Sequence, residues 1–391
     1  MNFPKLLSLI LTASTAVILA SCSQKIDETE LSLSLPVKSV KSESGSQLIR
    51  VTATGDWTLE LQYSDEGGWA SVDQQSGTDS QSGILFVWGT NSSEEERICT
   101  LVLKKGSRTS EAVFKQNGYV VVTGGGTGAD KLVSEPVPAW LELPATDSDD
   151  LYFITHDMLL GAKKIRNYSF FYDTKNLVAH WVAYPLNYSL RSTGKRTDAW
   201  GLDPKVPRDL QPVLLSTFRS PEAGMGYDRG HQLPSADRYL LGANEQTFYG
   251  TNMTPQLHSL NSGPWEILEE LVRTWSNSCD TLYVVTGSDL QGSSKFAYDN
   301  DGKKVTVPTG YFKALVAYSK SASDAYKGIA FYMDHNKSYA STTDAVMATS
   351  MSIRDLEKKV KTDFFVNLPK AVDYADKVET TVDKWWTDTA K

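Results

Sequence analysis

Residues 228–237 read DRGHQLPSAD, and two further stretches, 251–256 (TNMTPQ) and 260–265 (LNSGPW), follow within one supersecondary unit. Arg229 precedes His231 by two positions, and Asn261 stands where a helix is expected to begin. An imidazole beside a guanidinium, followed by a carboxamide at a helix start, supplies the groups that hydrolyse a phosphodiester with one hard metal ion. These stretches therefore predict both the fold and the chemistry of the second half of the chain.

The roles of the charged side chains follow from their chemistry. His231 has an unperturbed pKa near ~6.5, so a neutral imidazole is available as a general base, a role worth ~10²- to 10⁴-fold in rate. Arg229 can clamp a phosphate oxygen because a guanidinium stays charged and donates in a fork. Glu269 lies eight positions after Asn261, about two helical turns, so it shares nearly the same face and can hold water around a metal ion. The alternative for Glu269 is a surface carboxylate paired with Arg273 at i+4.

These stretches resemble the DNA/RNA non-specific endonucleases, a family that includes secreted bacterial sugar-non-specific nucleases and mitochondrial endonuclease G. Residues 247–249 (TFY) and 268–269 (LE) extend the likeness on either side of the second and third stretches. Further segments fall in the family's order, namely 181–184 (WVAY), 203–204 (DP), 283–287 (YVVTG), 307–309 (VPT) with 312–313 (FK), and 363–369 (DFFVNLP). The resemblance spans nearly the whole second domain.

The resemblance implies a ββα-metal (His-Me finger) fold, in which the strand that ends at His231, a hairpin and the helix after Asn261 assemble the site. It implies that Asn261 is the direct ligand of Mg²⁺, with Mn²⁺ as the second choice of metal, and that Glu269 completes the metal site. Asn252 is grouped with the catalytic residues as a site-shaping carboxamide near the histidine. The substrates implied are DNA and RNA, and the products carry 5′ phosphates.

One position departs from the family's pattern. Relatives carry an arginine shortly before the aromatic residue upstream of Asp-Pro, and the nearest arginine here is Arg196, four positions before Trp200. We assign Arg196, together with Arg229, to substrate binding. The loop is locally basic, which suits a phosphate backbone, since it carries Lys195, Arg196, Lys205 and Arg208.

The charge of the whole chain argues against a nucleic-acid partner. The 391 residues carry a formal net charge of −8 and the sequence pI is about 5.3, whereas nucleic-acid binders usually have a basic face. Affinity for a polyanion must therefore come from a locally positive groove and from a metal ion.

The first 22 residues have the pattern of a lipoprotein signal peptide. Lys5 precedes an apolar run, and the run ends in Leu19-Ala20-Ser21-Cys22, which resembles the lipobox of bacterial lipoproteins. This implies lipid attachment at Cys22, a polar tether over residues 23–33, and an exported protein anchored to the outer membrane, on its periplasmic face or at the cell surface. The alternative is an ordinary secretory signal with a chance cysteine.

Residues 34–118 show short alternating strands divided by Gly, Ser, Asn and Asp clusters, the pattern of an all-β Ig-like sandwich. The predicted strands are 48–54, 57–62, 84–88, 98–104 and 111–116. Short motifs such as 55–57 (GDW) and the closing 114–118 (FKQNG) resemble a BACON domain, which implies a spacer or a glycan-binding module. Trp57, Trp69 and Trp88 are either a sugar-stacking platform or core residues, and their type favours the core.

Residues 119–140 are predicted to be a Gly-rich linker, and residues 141–391 an α+β nuclease domain with helices on the faces of a sheet. Its predicted helix covers 263–275, and its predicted strands are 167–173, 178–184, 282–286, 310–318 and 330–333. Two cysteines are expected to be unpaired, Cys99 and Cys279. The remaining histidines are expected to be structural, namely His156, His180, His258 and His335.

The resulting hypothesis is a lipid-anchored, exported endonuclease that uses Mg²⁺ to hydrolyse DNA and RNA without base specificity. One alternative is a glycan-binding or spacer lipoprotein whose nuclease-like domain is inactive. Another is a phosphodiesterase for a different substrate. A glycan bound by the first domain, a homodimer and a protective inhibitor protein stay open as further partners.

Overall fold

The computed structural model describes residues 30–42, 45–91, 93, 95–118, 132–160, 163–191, 194–222, 226–240 and 242–390. The predicted signal peptide with Cys22, most of the tether and the glycine-rich part of the linker lie outside the described residues. Within the described part of the chain, none of the helices is long and apolar enough to cross a membrane.

The N-terminal half of the described chain is built from nine strands. They are β1 (Ser32–Ser34), β2 (Ser39–Val40), β3 (Gly45–Thr52), β4 (Asp56–Tyr63), β5 (Ala70–Val72), β6 (Ser76–Thr78), β7 (Gln81–Trp88), β8 (Arg97–Lys105) and β9 (Arg108–Gln116). They form a four-stranded sheet in the order β1-β3-β7-β5 and a five-stranded sheet in the order β2-β9-β8-β4-β6. Neighbouring strands are antiparallel except β2 and β9, which are parallel. All five strands predicted for this region are present.

The two sheets share one hydrophobic core, because alternate residues of each strand point inward. In β4, for example, Trp57 and Leu59 are buried while their neighbours on either side are exposed. Trp57, Trp69 and Trp88 are only 2, 5 and 5% exposed and all belong to this core. Their interpretation as core residues is confirmed, so these three rings form no sugar-stacking platform. The likeness to an Ig-like BACON domain stays a prediction.

The second half contains twelve further strands within the described residues. They are β10 (Tyr152–Leu160), β11 (Lys163–Asp173), β12 (Val178–Leu186), β13 (Phe218–Arg219), β14 (Gly226–His231), β15 (Met253–Gln256), β16 (Thr281–Asp289), β17 (Phe296–Tyr298), β18 (Lys304–Thr306), β19 (Gly310–Tyr318), β20 (Tyr326–Asp334) and β21 (Ser350–Met351). The α-helices are α1 (Tyr188–Arg191), α2 (His258–Leu260), α3 (Glu266–Ser276), α4 (Thr343–Met347), α5 (Ile353–Val360), α6 (Leu368–Ala371), α7 (Ala375–Thr380) and α8 (Trp385–Asp388). Short 3₁₀ helices cover Arg208–Leu210, Ser235–Asp237, Glu245–Phe248 and Gly250–Asn252.

A seven-stranded antiparallel sheet, in the order β10-β11-β12-β16-β19-β20-β21, separates two hydrophobic cores. Helix α3 packs in one of them through side chains spaced three or four residues apart, namely Leu268, Leu271, Val272 and Trp275. Helices α5 and α7 pack in the other, for example through Leu356 and Val378. Helices therefore cover both faces of the sheet, as predicted.

A smaller sheet, in the order β15-β14-β13-β17-β18, carries the sequence motifs. Strand β14 pairs antiparallel with β15, and His231 lies opposite Met253. The chain then passes through α2 and an irregular helical turn, Asn261–Trp265, into α3. The helix predicted to start at Gly263 therefore begins at Glu266, because Ser262 and Gly263 have non-helical backbone angles and Pro264 has no N–H to donate.

Three of the remaining histidines are held by the fold. His156 bonds to the buried Asp203 at 2.9 Å, and His180 lies 3.3 Å from Asp173. His335 accepts a bond from the backbone N–H of Leu257 and donates to the carbonyl of Pro308, both at 2.8 Å. These contacts confirm the structural roles predicted for them, and the free thiols of Cys99 and Cys279 agree with the prediction of unpaired cysteines.

Candidate active site

An open cavity of about 420 Å³ lies where β14, the turn after it and the start of α3 meet. It is lined by Arg196, Trp200, Thr217, Asp228, Arg229, His231, Pro234, Ser235, Ala236, Tyr239, Asn261, Ser262, Glu266, Glu269 and Arg273. Five of the six site residues predicted from the sequence are in this set, and Asn252 is the exception. The fold thus gathers residues from positions 196 to 269 around one solvent-accessible space.

Position 230, in the DRGH motif, requires a glycine for a steric reason. A Cβ at Gly230 would lie 2.4 Å from the side-chain oxygen and 2.7 Å from the Cβ of Gln256 on β15. Real Cβ atoms do not approach other atoms so closely, so a side chain here would push β14 and β15 apart. The close pairing of the two strands fixes the position of His231, which is the last residue of β14.

His231 lies between two aromatic rings, with Trp200 at 5.6 Å and Phe248 at 5.2 Å between ring centroids. Its Nε2 atom is buried and has no hydrogen-bond partner among the described residues. Burial, followed by the positive charges of Arg196 and Arg229, lowers the pKa of His231 to about 3. The imidazole is therefore neutral at physiological pH, the form in which it accepts a proton.

Two guanidinium groups share these aromatic neighbours. The guanidinium carbon of Arg229 lies 3.4 Å from the ring centroid of Trp200, and that of Arg196 lies 4.8 Å from that of Phe248. Arg229 donates to the carbonyl of Leu214 at 3.2 Å, and Arg196 pairs with Asp198 at 2.7 Å. Burial and then the charge of Arg196 lower the pKa of Arg229. Two positive charges therefore act on the histidine although the whole chain is acidic.

Asp228 fixes the orientation of Asn261. The side-chain nitrogen of Asn261 donates to Oδ2 of Asp228 at 3.0 Å, and Nδ1 of His258 lies 2.9 Å from the same oxygen. Because its nitrogen is occupied, Asn261 keeps its amide oxygen as the atom available to a cation. His258 is 79% exposed at its side chain, and its Nδ1 also lies 3.4 Å from Oγ of Ser262, a second residue that lines the cavity.

Glu269 lines the cavity in front of a buried group of charges. Arg273 pairs with Asp237 at 3.4 Å, and Tyr184 donates to the same carboxylate at 2.9 Å. Lys313 is fully buried, donates to Oγ1 of Thr286 at 3.1 Å and lies 4.6 Å from the ring centroid of Trp265. In the alternative interpretation Glu269 is a surface carboxylate paired with Arg273; the structure shows a half-buried Glu269 on which Arg273 acts through its charge, while the ion pair of Arg273 goes to Asp237.

Burial raises the pKa of the Glu269 carboxyl, and the charges of Lys313 and Arg273 act against this rise. Burial lowers the pKa of Lys313, whereas the negative charges of Glu269 and Asp237 act to raise it.

The sequence analysis assigned no catalytic or binding role to Arg273, Asp237 or Lys313. A signal for Lys313 is present, since it is a lysine inside the otherwise buried strand β19, and such a residue is rarely tolerated without partners.

Asn252 shapes the site near the histidine, as predicted, but it does not line the cavity. It is fully buried, it accepts a bond from the backbone N–H of Leu233 and it donates to the carbonyls of Leu233 and Thr247. All its hydrogen-bonding groups are occupied, so the side chain contributes no group to the cavity. Its inclusion among the catalytic residues is corrected: Asn252 holds the turn that follows His231.

The donor set suits a hard cation with few protein ligands. Within the described residues, no group of three or more His, Cys, Asp or Glu side chains is arranged to hold a metal ion. The free amide oxygen of Asn261 and the carboxylate of Glu269 face the same cavity. Oxygen donors in small number fit Mg²⁺, because this ion keeps several of its waters when it binds protein.

Comparisons with known proteins agree with this geometry. The family model described as DNA/RNA non-specific endonuclease matches residues 157–371, more than half of the chain. A nuclease of Nostoc sp. is 34% identical over 171 residues, which are 44% of this chain and 58% of that protein. Human mitochondrial endonuclease G is 31% identical over 167 residues, which are 40% of this chain and 55% of that protein.

A solved structure of the EndoG/EndoGI complex contains a chain that aligns with 51% of this chain and 83% of its own length, at 23% identity and a TM-score of 0.41. The chain spans little more than half the length of the curated relatives it matches. The matched region contains every residue of the cavity described above. The chain therefore belongs to the DNA/RNA non-specific endonuclease family.

Proposed function

We propose that this protein is an endonuclease that hydrolyses the phosphodiester bonds of DNA and RNA without base specificity and depends on a divalent metal ion. The observation that carries the proposal is the neutral His231 held beside two guanidinium groups and facing the same cavity as the free amide oxygen of Asn261. The names of the relatives, nuclease and endonuclease G, support the same reaction class.

His231 acts as the general base that takes a proton from the attacking water. A base whose pKa is near 3 is weak, but two of the three causes of that low pKa are the charges of Arg196 and Arg229. A phosphate anion bound between the guanidinium groups neutralises both charges, so the basicity of His231 rises when substrate binds. Substrate binding thereby prepares the base for the reaction.

Arg196 and Arg229 bind the phosphate and hold it in line with the base. Their forked donors match phosphate oxygens, and the aromatic rings beneath them restrict their rotation. Contacts to the phosphate carry no sequence information, which accounts for a lack of base specificity. Asn261, oriented by Asp228, is the residue to which we assign metal binding. We assign to Glu269 the role of holding water beside the metal ion. When bound, Mg²⁺ would neutralise the negative charge that develops on the phosphoryl group and on the departing oxygen.

We further propose that the protein is exported and lipid-anchored through Cys22, with residues 34–118 as a spacer between anchor and nuclease domain. The lipobox-like residues 19–22 support the anchor. The burial of the three tryptophans removes the platform on which a glycan-binding role was based. An exported site would meet nucleic acid outside the cell and not the cell's own chromosome.

The test incubates the purified protein with plasmid DNA and with RNA, in Mg²⁺ and in EDTA. We expect degradation of both in Mg²⁺ only, and its loss in His231→Ala and Asn261→Ala. His180→Ala is the control, because this half-buried histidine lies outside the cavity. Failure of the unmodified protein to cut either polymer with any divalent metal would favour the alternative of a spacer lipoprotein with an inactive domain.

A further inference from the structure

Tyr188 presents its ring to solvent beside the nuclease site. It is 75% exposed, and among the described residues no other Phe, Tyr or Trp side chain is this exposed. The helix that carries it, α1, is anchored from below by Leu190, which is 4% exposed and packs on Met158 and Ala243. The ring is therefore held outward by a fixed element.

Arg191, in the same helix, has unused hydrogen-bonding capacity. Its guanidinium carbon lies 5.9 Å from the ring centroid of Tyr188, and one of its terminal nitrogens donates to the side chain of Asn277. Its Nε is buried and has no hydrogen-bond partner in the described part of the chain. The side chain as a whole is partly exposed and only one of its terminal nitrogens is bonded, so the other terminal nitrogen is available to an acceptor in the groove.

Tyr188 and Arg191 line an open groove of about 700 Å³, and two links of the backbone place it near the active-site cavity. The carbonyl of Arg191 accepts a bond from the backbone N–H of Tyr239 at 3.1 Å, and Tyr239 lines the active-site cavity. On the other side, Arg273 lines the active-site cavity and Ser276, one turn further along α3, lines the groove. These two residues are three positions apart, a rise of about 4.5 Å along α3, which is between one and two of the ~3.4 Å steps by which a nucleic-acid strand advances.

We propose that Tyr188 and Arg191 form a second subsite that holds a nucleotide of the substrate strand one or two positions away from the bond that is cut. Arg191 binds the phosphate of that nucleotide, and the ring of Tyr188 stacks on its base. Asp280 also lines the groove, and it accepts a bond from the backbone N–H of Lys320 at 2.7 Å. This inference rests on the proposed function and adds to it the class of substrate strand.

The subsite favours single-stranded or locally unpaired nucleic acid. A base can stack on Tyr188 only if it has left the stack of a duplex, and every base offers a π-face, so stacking adds affinity without sequence preference. In a duplex the same base is already stacked on its neighbours. Tyr188 therefore adds little to the binding of intact double strands.

The test measures binding by fluorescence anisotropy in the full-length protein carrying His231→Ala, with EDTA present so that no strand is cut. The probes are a labelled single-stranded 12-mer and the same sequence as a duplex. We expect Tyr188→Ala and Arg191→Ala to weaken binding of the single strand by about tenfold, while Tyr188→Phe retains it. Val133→Ala is the control for loss of an exposed apolar side chain, since Val133 is 72% exposed and does not line the groove.

Two results would overturn the subsite. One is single-strand binding by Tyr188→Ala that equals that of its parent, and the other is an equal loss for single strand and duplex. Cleavage of plasmid and RNA by the unmodified protein is measured in parallel. If it cuts nucleic acid and Tyr188→Ala binds normally, only the subsite fails. If it neither cuts nor binds nucleic acid, the proposed function fails as well.

Discussion

Replacement of His231 by phenylalanine or glutamine should flatten the pH dependence of the free energy of unfolding in the acid range. In the folded protein, burial and then Arg196 and Arg229 lower the pKa of His231 to about 3, whereas a histidine in the unfolded chain has a pKa near ~6.5. Between these values the unfolded state binds more protons, so stability contributed by the neutral His231 is present above pH ~6.5 and is lost as the pH falls. Each pH unit inside that window changes the free energy of unfolding by at most ~1.4 kcal/mol, so a fall from about pH 6.5 to about pH 4 costs about 3 kcal/mol through this residue alone.

The assay is urea unfolding, followed by tryptophan fluorescence, at several pH values across that window and without added metal. The unmodified protein should lose about 3 kcal/mol more than His231→Phe and His231→Gln between the two ends of the window. Equal losses in all three proteins would mean that His231 is as readily protonated in the folded state as in the unfolded state. The account of a buried base flanked by two cations would then be refuted.

Three further predictions concern the support of the site. Asn252→Ala should lower the free energy of unfolding by about 2–3 kcal/mol, because the buried backbone groups of Leu233 and Thr247 lose their hydrogen-bond partners. Calorimetry measures the change, and an unchanged unfolding temperature would contradict this prediction. Gly230→Ala should destabilise the protein by about 1–3 kcal/mol and reduce cleavage, and a Gly230→Ala/Gln256→Gly double variant, which lacks the opposing Cβ, should restore part of the cleavage; a Gly230→Ala protein as stable as its parent would show that the close pairing is not needed. Asn261→Ala should reduce cleavage at saturating Mg²⁺ by ~100-fold or more, and full recovery at higher Mg²⁺ would reduce its role to metal affinity.

The local elements of the fold were accessible from sequence because they depend on periodicity. Strand β19 matches its predicted limits, and the strands of the first half were found within a few residues of their observed ends. Strand β10 was not predicted, since its alternation is broken by His156 and Asp157, where the structure has a shift in register. The start of α3 was misplaced because the backbone angles of Gly263 are set by the turn that presents Asn261 and not by helix propensity.

The reacting groups of the candidate site were also predictable, because most of them stand in three stretches of one supersecondary unit. What the sequence did not reveal are the groups that set their electrostatics. Lys313 lies 44 positions after Glu269, and nothing in the local pattern shows that the two meet beneath one cavity. Asn252 was misassigned for a related reason: a conspicuous carboxamide near a histidine has the same sequence pattern whether it faces the substrate or the backbone.

An acidic composition is compatible with positive charge at the catalytic base. Field strength at a catalytic site depends on the nearest charges, and the charges that act on His231 are those of Arg196 and Arg229. The remaining acidic surface keeps non-specific adsorption of nucleic acid weak, so binding should be strongly dependent on salt and on the metal ion.

The most direct test of the account is single-turnover cleavage of a labelled oligonucleotide in Mg²⁺ by the unmodified protein and by His231→Ala, with binding measured separately. The account predicts that His231→Ala slows the chemical step by ~10²- to 10⁴-fold while the affinity for the oligonucleotide changes little, because the histidine moves a proton and the arginines bind the phosphate. Cleavage by His231→Ala at the rate of the unmodified protein would contradict it.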